Sequence, residues 1–126
     1  MGVAFQAKLS WPPTGNKMAR TGKTRSGKVV HYPNPDYVAW LHANLIELLV
    51  VATAPPIAGP VSVRATFYPK TNRKYDLDNH FKPCGDLLEK AGVIVNDSQI
   101  VELVLRKAEK RPGEPHVVVE LEELAQ

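Results

Sequence analysis

A single cysteine, Cys84, rules out an internal disulfide, and no His-x-x-x-His or Cys-x-x-Cys pair occurs at zinc-ligand spacing. Cys84 reads as a small packed residue and not as a nucleophile. Long apolar runs are also missing. The stretch Leu45 to Ala54 is interrupted by Glu47 and falls well short of the ~20 residues that cross a bilayer. The N-terminus carries no secretory signal, because Lys8 and Pro12-Pro13 break up its apolar stretch. These absences predict a cytoplasmic protein that does not enter membranes. No Gly-rich loop leads into Lys-Ser or Lys-Thr, which argues against ATP-driven chemistry. Acids are absent from residues 1 to 35, a segment that holds Lys8, Lys17, Arg20, Lys23, Arg25 and Lys28.

The remainder is ordinary for a globular chain. With 126 residues, 44% hydrophobic and 23% charged, residues 1–126 form one domain, large enough to bury roughly two-thirds of its unfolded surface. The net charge is only +3, but it is unevenly spread. Five of the six N-terminal cations fall within the Gly/Ser/Thr-rich stretch Gly15 to Lys28, whereas Glu120, Glu122 and Glu123 crowd the other end. A flexible basic loop of this kind can embrace a nucleic-acid backbone and release counterions, or it can simply be solvated.

Periodicity predicts the elements. Val3, Phe5, Ala7 and Leu9 alternate with polar residues, giving a half-buried first strand that Trp11-Pro12-Pro13 ends. Val29 to Tyr32 is either a short strand or the approach to a helix. Asn34-Pro35 opens that helix, and Val38, Leu41, Leu45, Leu48 and Leu49 carry it to about Ala52. Thr53 to Pro60 is a loop, and Val61, Val63, Ala65 and Phe67 define a second strand closed by Pro69. A second helix starts near Asp78 or Asn79, buries Phe81, Cys84, Leu88 and Ala91, and stops at Gly92; Pro83 sits early enough in it to cost little. Strands at about Val101 to Ala108 and His116 to Leu121 flank the turn Arg111-Pro112-Gly113-Glu114. The order β-α-β-α-β-β predicts an α+β domain with a small mixed sheet and two main helices packed on one face.

The most informative residues are Asp76-Leu77-Asp78-Asn79. If the backbone there is extended, Asp76 and Asp78 project to one side and Leu77 points to the core. Gathered carboxylates call for a hard cation, a shared proton or strong solvation, and oxygen ligands in this number suit Mg²⁺ or Mn²⁺. The alternative is that both acids merely cap a helix. Lys82, one turn on, either holds a phosphate or joins Asp86 and Lys90 in an ion-pair ladder at i+4 spacing. Asp97 lies in the polar turn Val95-Asn96-Asp97-Ser98 and reaches Asp76 and Asp78 only if Gly92 to Asn96 doubles back along the helix. Otherwise a dimer completes the site. Of the histidines, only His80 is close enough in sequence to approach a metal there.

Three stretches resemble the RusA-type Holliday junction resolvases: Leu9-Ser10-Trp11-Pro12-Pro13-Thr14-Gly15-Asn16-Lys17, Asp76-Leu77-Asp78-Asn79-His80-Phe81-Lys82, and Leu87-Leu88-Glu89-Lys90-Ala91-Gly92-Val93-Ile94-Val95-Asn96-Asp97-Ser98-Gln99. The middle stretch is the most specific. The resemblance implies a Mg²⁺-dependent endodeoxyribonuclease, with Mn²⁺ as substitute, that acts as a homodimer on branched double-stranded DNA and nicks opposing strands of a four-way junction in recombination and repair. It further implies that Asp76, Asp78 and Asp97 bind metal and that Lys82 is an essential catalytic lysine. Asn16, Lys17, Arg20, Lys23, Arg25, Arg73 and Lys74 would then grip DNA. Asn96 departs from the family, whose members often carry a second acid before the position of Asp97. Two rival readings are a non-catalytic nucleic-acid-binding module and a nuclease of the same fold that acts on flaps or forks.

Overall fold

The computed structural model describes residues 5–51 and 55–124. Val3, Leu49 as a packing residue, Ala52, Thr53 and Ala54 lie outside what is described. Strand β1 (Phe5–Ser10) is followed by a 3-10 turn at Gly15–Lys17, a hairpin of β2 (Ala19–Lys23) and β3 (Val29–Pro33), and helix α1 (Pro35–Val51). Strand β4 (Val61–Tyr68), helix α2 (Leu77–Lys90), a 3-10 turn at Asp97–Gln99, β5 (Ile100–Lys107) and β6 (His116–Glu123) complete the chain.

The main sheet has the order β1-β6-β4-β5, with β5 parallel to β4 and the other neighbours antiparallel. β4 earns its central place by alternation: Val61, Val63, Ala65 and Phe67 are fully buried on one face. Val117, Val119 and Leu121 of β6 and Leu9 of β1 extend that face. Tyr37, Trp40, Leu41 and Leu48 of α1 and Phe81, Cys84, Leu87 and Leu88 of α2 join them in one core cluster. Both helices thus cover the same face, as the sequence predicts. β5 and β6, separated in sequence by one turn, are not neighbours, because β4 lies between them. β5 pairs with β4 after the α2 crossover, so the start and the end of α2 lie at opposite ends of the sheet.

The Gly15 to Lys28 stretch is a correction to the sequence reading. It is not a flexible loop but a two-stranded ladder in which Arg20 pairs with Tyr32 and Lys23 with Val29. β2 is exposed on both faces apart from Gly22, so no hydrophobic alternation announces it. Met18 accepts a bond from the Asn34 N–H (2.9 Å), and the Asn34 side chain accepts from the Asp36 N–H (3.0 Å), which welds the hairpin to the start of α1.

Helix α2 begins at Leu77, a residue or two earlier than predicted, and ends as expected at Gly92. Gly92 takes φ +74°, while the Gly92 and Val93 N–H groups bond to the Glu89 and Leu88 carbonyls (3.0 Å each) in a Schellman closure. With the earlier start, Pro83 falls beyond the first turn and has no N–H to return to the Asn79 carbonyl, a larger cost than the sequence reading assigned.

Candidate metal centre and DNA-facing surface

Asp76 occupies the N-cap position of α2 with an extended backbone (φ −97°, ψ 121°), and Asp78 lies in the first helical turn. Leu77 is already helical, so the strand-like alternation of the two acids does not hold. Both acids nonetheless stand at the start of the helix, Asp76 at its N-cap and Asp78 in its first turn. Asp76 makes no side-chain capping bond, and both residues are exposed, which leaves their carboxylates uncommitted. That outcome weighs against the capping alternative and fits a hard cation that takes one or two carboxylates. The open N–H groups and positive dipole end of α2 favour an anion at the same place.

Lys82 is exposed and makes no ion pair among the described residues, whereas Lys90 and Asp86 pair at 3.4 Å. Asp86 also accepts a hydrogen bond from the Tyr37 hydroxyl, whose pKa burial and the Asp86 carboxylate push up. The ladder therefore excludes Lys82. What contacts Lys82 is Gly15: a Cβ on that residue would sit 2.6 Å from Lys82 Cδ and 3.0 Å from Asn79 Oδ1. Gly15 allows the N-terminal 3-10 turn, which carries Asn16 and Lys17, to lie directly on α2 at Asn79 and Lys82. Sequence reasoning did not single out Gly15 for this close approach. Its sole signal was membership of the Leu9 to Lys17 stretch.

Asp97 is elsewhere. It opens the second 3-10 turn, and its N–H donates to Glu89 Oε1 (2.6 Å) near the C-terminal end of α2. The Asn96 side chain accepts from Ser98 N–H (2.8 Å), and Gln99 completes a capping box while bonding the Ile57 and Gly59 carbonyls (2.7 and 2.8 Å). Asn96 thus serves the turn. The chain does not double back, so Asp97 stays about 20 Å from Asp76, the length of α2. Among the described residues no three His, Cys, Asp or Glu side chains gather into a metal group. One protomer brings together Asp76, Asp78 and Lys82 but not Asp97.

His80 is not a ligand candidate. It is buried, its Nδ1 pairs with the Pro12 carbonyl at 2.9 Å, and its ring packs near Trp11 and Tyr75 (centroids 5.3 and 5.7 Å). Buried Cys84 has its thiol pKa pushed up by desolvation, as a packed residue should. Beside Asp76 opens a cleft of about 350 Å³ lined by Trp11, Lys70, Arg73, Lys74, Tyr75 and His80. Lys70 adds a cation to the cleft beyond the predicted Arg73 and Lys74, and Lys107 sits over the Tyr75 ring at 4.5 Å. Arg20, Lys23 and Arg25 are exposed on or beside the hairpin.

None of the described helices is long and apolar enough to cross a membrane. A family model described as endodeoxyribonuclease RusA matches residues 10–122. A crossover junction endodeoxyribonuclease RusA from Aquifex aeolicus (strain VF5) is 33% identical over 110 residues, spanning 86% of this chain and 82% of the relative. The chain belongs to the RusA family of endodeoxyribonucleases.

Proposed function

We propose that this endodeoxyribonuclease resolves four-way DNA junctions with paired, symmetric, Mg²⁺-dependent nicks, as a homodimer working as single domains in the cytoplasm of a bacterial or phage-infected cell. The observation that carries the reading is the pair of uncommitted carboxylates, Asp76 and Asp78, at the start of α2 beside a Lys82 with no ion-pair partner among the described residues. Asp76 and Asp78 would hold Mg²⁺ or Mn²⁺. Asp97 would complete the set from the partner protomer, since its own helix keeps it at the far end. A bound Mg²⁺ supplies charge for the scissile phosphate and a lower pKa for water.

The chain's own groups do the rest. The α2 N-terminus and Lys82 receive the scissile phosphate, and Lys82 offsets the charge that builds on its oxygens in the transition state. In-line attack by water breaks the P–O3′ bond and leaves a 5′-phosphate and a 3′-hydroxyl, ends that a ligase can rejoin. Asn16, Lys17, Arg20, Lys23, Arg25, Arg73 and Lys74 hold backbone phosphates, which gives salt-dependent affinity more than sequence reading. A two-fold dimer matches the approximate two-fold symmetry of a junction.

Cleavage of a synthetic four-way junction by Asp78→Asn and Lys82→Ala tests the assignment. Asp78→Asn should abolish cutting with junction binding kept or tightened, and Lys82→Ala should lose activity while stability changes by only a few tenths of a kcal/mol. Wild-type rates for Asp78→Asn would sink it. Faster cutting of flaps or forks than of junctions would reassign the substrate.

A further inference from the structure

Holding a metal or a scissile phosphate does not account for the cleft beside Asp76. Its lining includes three exposed cations, Lys70, Arg73 and Lys74, and no acid. None of the three has an ion-pair partner among the described residues. Deeper in, the wall is aromatic, built from half-buried Trp11 and Tyr75 and buried His80. Cations alone would serve a phosphate backbone. Cations around an aromatic wall suit an unpaired nucleotide, since every base presents a π-face and every linkage a phosphate. At about 350 Å³ the cleft stands at the low end of the ~300–1,000 Å³ of small-ligand sites, room for a base and not for a duplex arm.

Trp11 is the surface on which a base can lie. Its ring neighbours meet it at an angle, Phe67 at 80°, Tyr75 at 79° and His80 at 59°, with centroids 5.8, 5.0 and 5.3 Å away. No described ring lies flat on the indole, in contrast to Tyr68 and His116, which stack at 19°. The other two rings of the wall are engaged: Lys107 covers a face of Tyr75 at 4.5 Å, and His80 Nδ1 is tied to the Pro12 carbonyl at 2.9 Å. The second contact also fixes the platform. Pro12 follows Trp11, and the His80 N–H bonds back to the Asp76 carbonyl (3.2 Å), so one helical turn links the indole to the first acid of the site.

We propose that the cleft receives one base of the DNA strand being cut, turned out of its stack onto Trp11, while Lys70, Arg73 and Lys74 hold the phosphates on either side of it. This rests on the proposed nuclease reading, which puts the scissile phosphate at Asp76 and Asp78. Tyr75 adjoins Asp76 in sequence, so the displaced base belongs to a nucleotide next to the cut and not to a distant arm. Leaving the stack costs a base least where stacking is already interrupted, as at the exchange point of a branched duplex. Base capture therefore favours branch points over uniform duplex without reading sequence, because stacking tolerates any base.

Photo-crosslinking of the wild-type chain tests the pocket without reference to activity. A synthetic four-way junction carries 5-iodouracil at one position at a time beside the exchange point and is bound without divalent metal, so that nothing is cut. Irradiation should join one position to Trp11 or Tyr75, read from the crosslinked peptide. Crosslinks only outside the cleft, or equal at every position, would overturn the proposal and leave the nuclease assignment standing. A second arm measures binding. Trp11→Leu should bind the intact junction roughly tenfold more weakly, and Trp11→Phe should recover most of the loss. On a junction whose crosslinking nucleotide lacks its base, wild type and Trp11→Leu should bind alike. An equal loss on both DNAs would mean that Trp11 serves only the fold, and would overturn the proposal; if Trp11→Leu does not fold, the crosslink alone decides. Conversely, wild-type cutting by Asp78→Asn with the crosslink in place would sink the nuclease assignment and keep the pocket.

Discussion

Gly15→Ala is the most discriminating single substitution, because it perturbs Lys82 without touching it in sequence. The added methyl would lie 2.6 Å from Lys82 Cδ, 3.2 Å from Lys82 Cβ and 3.0 Å from Asn79 Oδ1. Lys82 Cδ can swing away, but Cβ cannot, so the side chain leaves its rotamer and the 3-10 turn backs off by a few tenths of an ångström. An off-rotamer side chain costs about 0.5–1.5 kcal/mol, while alanine in place of glycine recovers ~0.4–1 kcal/mol from the unfolded chain. Net stability should therefore move by less than about 1 kcal/mol. Activity should suffer more. The ammonium lies two bonds past Cδ, and a displacement on the order of 1 Å in a charge-stabilising group costs roughly tenfold to a hundredfold in rate. Single-turnover cleavage of a labelled junction, beside thermal unfolding and gel-shift binding, separates the two effects. If Gly15 acts through Lys82, the double variant Gly15→Ala/Lys82→Ala should cleave no more slowly than Lys82→Ala alone. A wild-type rate for Gly15→Ala, or a fully additive double variant, refutes the argument.

Two further outcomes test the packing around the site. The Tyr75 hydroxyl is buried without a partner, and burial raises its pKa, so Tyr75→Phe should stabilise by about 1 kcal/mol in urea unfolding at unchanged m-value. Asn44→Ala removes bonds to Ser10 N–H (3.1 Å), Ser10 Oγ (2.9 Å) and the Trp40 carbonyl (2.8 Å); it should cost about 2–3 kcal/mol by the same measurement, with no loss beyond tenths of a kcal/mol counting against the network.

What could be read from the sequence was what local pattern encodes. Period-two alternation places β4, and Asn34-Pro35 and Gly92 bound the helices, because caps and turn residues act within a few positions. β2 was invisible for the same reason, since a strand exposed on nearly every residue leaves no apolar alternation, whereas Val29 to Tyr32, open between strand and helix approach in the sequence, forms β3. The role of His80 was hidden because its partner, the Pro12 carbonyl, lies 68 residues away. The acids of the site were legible as residue types in a family-like stretch. Their assembly was not: whether Asp97 joins Asp76 depends on how the chain leaves α2, a matter settled by the Glu89 contact and the Asn96 cap.

The β4-α2-β5 crossover carries a consequence for genome safety. A strand-helix-strand unit with parallel strands leaves its first and last junctions at opposite ends of the sheet, and with the turn after α2 held at Glu89 and Asn96, Asp97 stays at the far end from Asp76. On the proposed reading, a lone protomer drifting along DNA is harmless. Cutting competence appears only when two chains meet, and then at two places together, so the geometry that withholds an isolated nick also makes matched nicks the default product.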